Sequence, residues 1–224
     1  MPSVHFYLRK LQLLVLLFWL AFLVSSCETR NENHSNLPWQ IELNAQQHST
    51  IFGVTLGETK LKTTQEQWHG RPSIALFSNR DEALSLEAYF ERVSLGPFQV
   101  KMVTKLQADE DWLKSIQQQA PKPRPGPSGD YRYLLDEIDL KKAESMIVSE
   151  LTYIPGYKVE GEILRQRFGE PDQIKKENEN TEYWLYASKG LLVTINQPGK
   201  DVFHYTNPAK FSAAVDKIGL KFNP

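Results

Sequence analysis

The sequence contains one cysteine in 224 residues, which excludes an internal disulfide framework and any metal site that needs several cysteines. Neither sign of charge is in excess, because 26 Lys and Arg residues are balanced by 27 Asp and Glu residues to a formal net charge of −1. A chain without a basic surplus has little means of neutralising a phosphate backbone. We therefore predict no nucleic-acid partner.

Catalytic motifs are equally scarce. The histidines are His5, His34, His48, His69 and His204. None of them belongs to a His-Glu-x-x-His motif, and no Gly-x-Ser-x-Gly turn or glycine-rich phosphate loop is present. We predict a protein that is not an enzyme and uses no metal or other cofactor. His69 and His204 would serve as acid–base groups only if the fold brought one of them near a carboxylate such as Glu91 or Asp201.

The longest apolar run is short for a membrane span. Residues 11–24 are apolar except for Gln12, whereas a helix needs about 20 residues to cross the hydrocarbon layer of a bilayer. Arg9 and Lys10 precede the run, and its length suits the apolar core of a signal peptide. Residues 1–26 are therefore predicted to be a signal peptide and are left out of the fold.

The end of this segment has a specific pattern. Val24, Ser25, Ser26 and Cys27 resemble the lipobox of bacterial lipoproteins, in which an aliphatic residue and two small residues precede the cysteine. The resemblance implies cleavage between Ser26 and Cys27 and lipidation of the Cys27 thiol. Two alternatives remain open: ordinary secretory cleavage after Ser26, which leaves a free thiol, and retention of the segment as an uncleaved anchor.

Lipidation at Cys27 would hold the protein firmly on a membrane. Each buried methylene contributes about 0.8 kcal/mol, and the lipoprotein resemblance implies three acyl chains. Glu28 follows the cysteine. In lipoproteins of enteric bacteria, the absence of Asp at this position implies the outer membrane. We therefore predict a protein anchored through Cys27 to the periplasmic face of the outer membrane.

Composition divides the mature chain into four parts. Residues 27–38 are polar and lack periodicity, which predicts a lipidated tether. Residues 121–130 are rich in alternating proline, which favours an extended linker, with a proline-rich recognition motif as the alternative. The predicted folded parts are a first lobe at 39–120 and a second lobe at 131–224.

Hydrophobic periodicity predicts an α+β fold, with helices packed on an antiparallel sheet in each lobe. The strands predicted in the first lobe are 73–78, 84–93 and 98–106, with helices ending at Trp68 and Gln119. In the second lobe, a helix is predicted from Asp139 through Leu151, another near 159–168 and a short one at the C-terminus. The strands predicted there are 173–177, 182–187, 191–196 and 202–206. In both lobes a helix is followed by Gly-x-Pro, at Gly70 and Gly169, which suggests a degenerate repeat.

Residues 159–196 resemble the SmpA/OmlA family of small outer-membrane lipoproteins. Leu164 lies five residues before Gly169, and Pro171 completes the helix end that is typical of that family. The segments that follow resemble its strands, whereas its opening Gly-x-Thr is absent. The family belongs to the β-barrel assembly machinery, and the resemblance implies a helix followed by a three-stranded antiparallel sheet more than a particular activity.

Aromatic residues in the second lobe suggest a binding surface. Trp184 and Tyr186 alternate with Tyr183 and Leu185, so the two pairs lie on opposite sides of the predicted strand. We predict Trp184 and Tyr186 as the exposed pair. The leading function is a non-catalytic binding or scaffold module for an envelope protein or polymer, acting by strand addition to a sheet edge. The alternative is a periplasmic hydrolase of cell-wall or lipid material, with a His–carboxylate pair in a pocket.

Overall fold

The computed structural model describes residues 37–79, 83–126, 130–220 and 222. The strands are β1 (Glu42–Leu43), β2 (Ser49–Ile51), β3 (Val54–Thr55), β4 (Ser73–Ser78), β5 (Leu84–Leu95), β6 (Phe98–Gln107), β7 (Arg124–Pro125), β8 (Tyr131–Leu134), β9 (Ile147–Ile154), β10 (Gln173–Asn178), β11 (Thr181–Tyr186), β12 (Leu191–Asn196) and β13 (Val202–Tyr205). The helices are α1 (Leu61–Trp68), α2 (Glu110–Gln119), α3 (Glu137–Ala143), α4 (Gly161–Phe168) and α5 (Phe211–Lys217), with 3₁₀ turns at Ala187–Lys189 and Pro208–Lys210. Helices and antiparallel strands confirm the predicted α+β class.

Ten of these strands form a single antiparallel sheet in the order β10-β11-β12-β13-β9-β6-β5-β4-β8-β7, and β1 to β3 form a small second sheet. β6 and β9 come from the two predicted lobes and pair along their length, with Thr104 opposite Leu151. The prediction of a separate sheet in each lobe is therefore wrong, because the apolar rows of β6 and β9 face the same core. The predicted linker at 121–130 contributes the edge strand β7, in which Arg124 pairs with Arg132 of β8.

β9 is the largest departure from the predicted elements. The apolar residues from Ala143 to Leu151 recur at helical spacing, but the helix ends at Ala143 and Ile147–Ile154 is a strand. The helix begins earlier than predicted, because the carboxylate of Asp136 caps it by accepting a hydrogen bond from the Asp139 N–H at 2.8 Å. The strand is rich in β-branched residues, and it gains ladder partners on both sides.

One face of the large sheet forms the core. Leu151 and Tyr153 of β9 and Phe203 and Tyr205 of β13 point to this face, and each is at most 2 % exposed. Helices α1, α2 and α4 bury apolar side chains in the same core, namely Leu61, Trp68, Leu113, Ile116, Leu164 and Phe168. The turn between β2 and β3 adds Phe52, whose ring centroid lies 5.4 Å from that of Tyr153. Apolar burial on this scale is the main stabilising term of the fold.

The opposite face of the sheet is divided into two parts. At β11 and β12, Leu185 and Leu192 pack against Phe211 and Val215 of α5 in a smaller apolar cluster. Over β13, β9, β6 and β5 the same face carries half-buried, mostly polar side chains, which we call the polar face: Glu87, Tyr89, Lys101, Lys105, Glu150, Thr152 and His204. α5 therefore ends where an apolar surface meets a charged one.

Gly190 holds the strand β12 close to the end of β13. Its φ is +61°, and a Cβ atom there would lie 2.0 Å from the carbonyl oxygen of Thr206. Only glycine fits such a position. The Thr206 N–H donates to the Gly190 carbonyl at 2.8 Å, so this close approach also positions Thr206.

Candidate functional site

The predicted lipidation site Cys27 and the predicted cleavage position between Ser26 and Cys27 lie outside the described residues. Near the start of the described chain, the Pro38 carbonyl accepts a hydrogen bond from the buried hydroxyl of Tyr205 at 3.0 Å. The guanidinium of Arg167 lies 4.5 Å from the ring centroid of Trp39. The end of the predicted tether is therefore attached to the core.

Trp184 and Tyr186 are buried, so the prediction that they form an exposed pair is wrong. They are 4 % and 2 % exposed, and the ring of Tyr186 lies 5.8 Å from that of Phe168. Arg165 of the same helix stacks on Trp184 at 4.6 Å from the ring centroid. The residues of β11 alternate between the two faces as predicted, but both sides are buried. α4 packs over Trp184 and Tyr186, and α5 covers Leu185 on the opposite face.

An exposed aromatic pair is present elsewhere. Phe98 at the start of β6 is 52 % exposed and Tyr157 after β9 is 46 % exposed, with ring centroids 5.6 Å apart. Each aromatic residue comes soon after a glycine in a loop, Gly96 or Gly156. In the sequence, each of the two aromatic residues follows a loop glycine, and this is the one signal that could have indicated the pair.

His204 meets a carboxylate, although it is neither of the two carboxylates expected for it. Its Nε2 atom lies 3.1 Å from Glu150 Oε2, and its Nδ1 atom lies 3.1 Å from Thr152 Oγ1. Both ring nitrogens therefore have partners inside the protein. Glu150 and Thr152 are neighbours on the polar face of β9, and His204 faces Thr152 from β13.

The other predicted acid–base groups have different surroundings. His69 is exposed at the end of α1, in a left-handed conformation with φ 49°. The buried carboxylate of Asp201 accepts the Val159 N–H at 2.8 Å, and Glu91 lies 2.6 Å from the Lys101 ammonium. These contacts are structural, because they join loops or neighbouring strands of the fold.

Glu150 stands at the centre of a row of charges that crosses four strands. The sheet register places Glu87 of β5 opposite Lys105 of β6, and Lys105 opposite Glu150 of β9. Lys105 Nζ lies 3.5 Å from Glu150 Oε1, while His204 of β13 approaches the other carboxylate oxygen. The members of the row come from strands that are far apart in the sequence, so no local sequence motif predicts that they meet.

The two carboxylates of this row have opposite pKa shifts. Burial raises the pKa of Glu87. Burial also opposes ionisation of Glu150. The hydrogen bond with His204 and the charges of Lys105, His204 and Lys217 nevertheless lower the pKa of Glu150 to about 2. Glu150 is therefore an anion at any ordinary pH, surrounded by basic side chains.

A cavity of about 290 Å³ lies where the polar face meets α5, and we call it the α5 cavity. Its polar lining includes Lys105, Glu150, His204, Thr206 and Lys217, and its apolar lining includes Leu192, Phe211, Ala214, Val215 and Ile218. Its volume is near the lower end of the range of small-molecule sites, about 300 to 1,000 Å³. The α5 cavity is thus amphipathic, with charge on one side and hydrocarbon on the other.

Two polar groups of the α5 cavity have unused hydrogen-bonding capacity. Thr206 is 1 % exposed, and its hydroxyl has no partner among the described residues. Lys217 forms no ion pair within the described part of the chain. Lys217 is exposed, whereas Thr206 is buried, and a buried polar group without a partner is uncommon in a folded protein and calls for an explanation.

A larger cavity, of about 440 Å³, lies beside the start of α4. Several of its polar groups are paired with one another: Asp201 Oδ1 lies 3.2 Å from Lys158 Nζ, and the Trp184 indole N–H donates to Glu182 at 3.2 Å. Glu182 also pairs with Lys176. These groups are engaged in holding the loops, which makes this cavity a weaker candidate than the α5 cavity.

The two edges of the large sheet differ in length. At one edge, β7 has two residues, and the second of them is Pro125, which has no N–H to donate. At the other edge, β10 has six residues without proline and pairs only with β11. A register shift between Lys176 and Asn178 disturbs only its last part. β10 therefore offers the longer row of unpaired backbone groups.

The row through His204 has part of the geometry of a catalytic relay. Thr152, His204 and Glu150 place a hydroxyl, an imidazole and a carboxylate in succession, as in activated nucleophiles. Acyl transfer also needs donors that stabilise an oxyanion. Around Thr152, β9 is paired with β6 on one side and with β13 on the other, so the backbone N–H groups of residues 151–153 point into ladders. The arrangement is therefore better suited to stabilising the half-buried charge of Glu150 than to acyl transfer.

Metal ions and membrane helices have no evident place in the described structure. Among residues 37–79, 83–126, 130–220 and 222, no three His, Cys, Asp or Glu side chains are grouped so as to hold a metal ion. Within the same residues, no helix has the length and apolar character needed to cross a bilayer.

The chain was compared with protein-family models, with curated proteins and with solved structures, and none of them matches it. Its function is therefore inferred from its own residues.

Proposed function

We propose that the protein is a lipid-anchored binding module on the periplasmic face of the bacterial outer membrane, and that it acts without catalysing a reaction. The lipobox that ends at Cys27 supports the anchor. The hydrogen bond between Tyr205 and Pro38 supports a short tether, since the fold is fixed to the chain within a dozen residues of Cys27.

The free edge of β10 is the observation that carries the binding function. Within the described part of the chain, its six extended residues have a partner strand on one side only, which leaves backbone N–H and C=O groups available to another strand. Lys175 and Lys176 disfavour the pairing of two copies of this edge, because like charges would meet. They favour a partner with acidic residues. We propose that an extended acidic segment of an envelope protein adds to β10 as a further strand.

Site-specific photo-cross-linking in intact cells tests the β10 edge. A photoreactive amino acid at Lys176, whose side chain is 74 % exposed, should capture a partner protein. The matched control places the same amino acid at Arg124, which is exposed on the opposite edge. A specific adduct at Lys176 and none at Arg124 is the expected result. Equal labelling at both positions, or no adduct at either, would contradict strand addition at β10.

A charge-reversal variant sharpens this test. With the photoreactive amino acid at Glu177, the double substitution K175E/K176E should abolish the adduct, because an acidic partner would then meet acidic side chains. An adduct of undiminished yield would show that the two lysines do not select the partner.

The anchor is tested by intact mass and membrane fractionation of the wild type beside Cys27→Ala. We expect an acylated wild-type chain that sediments with outer membranes and a variant that is neither processed nor acylated. A soluble wild-type chain with a free thiol at its N-terminus would overturn the anchor and leave ordinary secretory cleavage as the explanation.

The hydrolase alternative is favoured by one observation, the His204–Glu150 pair in the α5 cavity. The purified chain would have to cleave peptidoglycan or phospholipid, and His204→Ala would have to remove the activity without lowering the melting temperature. That pair of results would replace the binding proposal. We rank binding first because the backbone of Thr152, the hydroxyl residue of the relay, is paired with Val103 of β6 and His204 of β13 and is therefore engaged in the sheet.

We also propose that the units α1–β4 and α4–β10 arose by duplication. Both helices have eight residues, end in a buried aromatic residue and precede Gly-x-Pro. Trp68 packs on Phe90 with ring centroids 4.9 Å apart, and Phe168 packs on Tyr186 at 5.8 Å. The second unit, with its antiparallel strands β10 to β12, also supports the resemblance to the SmpA/OmlA family.

A further inference from the structure

The α5 cavity is separate from the β10 edge and points to a second binding site. We propose that the α5 cavity binds a small amphipathic anion, consisting of a short alkyl chain with a carboxylate head. At roughly 30 Å³ per non-hydrogen atom, a cavity of about 290 Å³ holds about ten such atoms. A straight-chain carboxylic acid of about eight carbons has that size.

The polar side of the α5 cavity has donors in excess of acceptors. Lys217 has no ion-pair partner among the described residues, and the Thr206 hydroxyl has no hydrogen-bond partner there. Lys105 lies 3.5 Å from Glu150, which is longer than the usual distance of about 2.8 Å for a charge-assisted hydrogen bond. A carboxylate head group in the cavity could accept hydrogen bonds from the two ammonium groups, and a rotation of the Thr206 side chain would add its buried hydroxyl as a further donor.

A cation would be a poorer ligand, because Glu150, the one carboxylate among the described residues that line the cavity, is already engaged. One oxygen of Glu150 faces Lys105 and the other faces the imidazole of His204. A bound ammonium group would have to displace one of these partners and would meet Lys217 as well. The charge pattern therefore selects an anion.

The apolar side of the α5 cavity suits an alkyl chain. Leu192, Phe211 and Val215 line it and are 5 %, 2 % and 1 % exposed. Ile218 also lines the cavity and is 53 % exposed, so a bound chain would cover apolar surface that now faces water. The apolar and charged sides together define an amphipathic ligand.

Equilibrium dialysis with radiolabelled octanoate tests the proposal on the full chain held in phospholipid nanodiscs. Empty nanodiscs provide the blank, because octanoate also partitions into lipid. We expect saturable binding in excess of the blank, with about one octanoate per chain, and competition by octanol and octylammonium that is at least tenfold weaker. The absence of a saturable excess, or equal competition by the neutral and cationic compounds, would overturn the proposal.

Two variants locate the binding. Lys217→Gln should weaken octanoate binding at least fivefold, whereas Lys210→Gln, at an exposed lysine that does not line the cavity, should change it less than twofold. Thr206→Val should weaken binding and raise the melting temperature of the free protein, because it removes a buried hydroxyl that has no partner. Unchanged affinity in both Lys217→Gln and Thr206→Val would place any bound octanoate elsewhere and contradict the assignment.

Discussion

The two faces of the large sheet are made from alternate residues of the same strands, yet their chemistry is opposite. In β9, Leu151 and Tyr153 are buried in the core, while Glu150 and Thr152 lie on the polar face. The core face is covered by α1, α2 and α4, by Ala143 of α3 and by the small sheet, whereas on the other face the apolar cluster under α5 covers β11 and β12. The comparison shows that one face supplies most of the stability.

This division explains how charges are retained in the middle of a sheet. Burying an unpaired charge is costly, but a charge that is half-buried and paired costs little. Glu150 satisfies that condition through Lys105 and His204. The polar face is therefore the place where the chain can keep polar groups that serve binding.

Substitutions at the adjacent residues Leu191 and Leu192 should have the largest effect on the free energy of unfolding, and they compare the two faces of the sheet directly. They are 0 % and 5 % exposed, but Leu191 belongs to the core and Leu192 to the small cluster under α5. Leu191→Ala should lower the free energy of unfolding by about 4 kcal/mol and Leu192→Ala by about 2 kcal/mol, because a cavity in the smaller cluster can collapse more easily. Denaturant titration measures both. Equal losses would mean that the two faces contribute alike.

Removing the charge of Glu150 should have the next largest effect on the free energy of unfolding, and this effect depends on pH. Its pKa falls from the ordinary value of 4.5 to about 2 in the folded protein, so its ionised form stabilises the fold above about pH 4.5. This contribution, up to about 3 kcal/mol, is lost as pH falls from about 4.5 towards 2. The measurement is the free energy of unfolding across this pH range for the wild type and Glu150→Gln.

The variant should be less stable than the wild type at pH 7 and should approach it near pH 2. A constant difference between the two proteins over the whole range would contradict the assigned role of Glu150, because it would show that the carboxylate charge is irrelevant.

Removing the charge of Glu87 should have the smallest effect on the free energy of unfolding, and the effect should have the opposite sign. Burial raises its pKa, so the folded protein holds this proton more strongly than the unfolded chain and the ionised form costs stability at neutral pH. Glu87→Gln keeps an acceptor for the Ser85 hydroxyl and removes the charge. We expect a gain of roughly 0.5 kcal/mol at pH 7, measured by thermal or chemical unfolding. A loss of stability would contradict this expectation, because it would show that the attraction between Glu87 and Lys105 outweighs the cost of burying the Glu87 charge.

Most strands could be predicted from the sequence, because turn residues separate them and because apolar and polar positions alternate in β5, β6 and β13. β9 could not, since its apolar residues also fit a helix, and only pairing with β6 and β13 resolves the ambiguity. The union of the two predicted lobes in one sheet could not be predicted for the same reason, because it too depends on the pairing of β6 with β9. Long-range pairing leaves no signal in a single sequence.

The candidate site was less predictable than the fold. Alternation in β11 was correct, but it does not tell that helices cover both sides of the strand, with α4 over Trp184 and Tyr186 and α5 over Leu185. The sequence did provide His204 as one of two candidate acid–base histidines. Its partner Glu150 could not be identified without the register of β9 and β13, and the cavity also needs α5 to be placed on the sheet.

Amide hydrogen exchange in β10 is the most direct test of strand addition. The chain is compared in isolated outer membranes and after purification in detergent, with Arg124 of β7 as the internal reference at the other edge. We predict that alternate amides of β10 exchange at least tenfold more slowly in the membranes, because the carbonyl groups of a partner strand protect them, while the Arg124 amide exchanges alike in both. Equally fast exchange of β10 in the two preparations would contradict a partner strand at this edge.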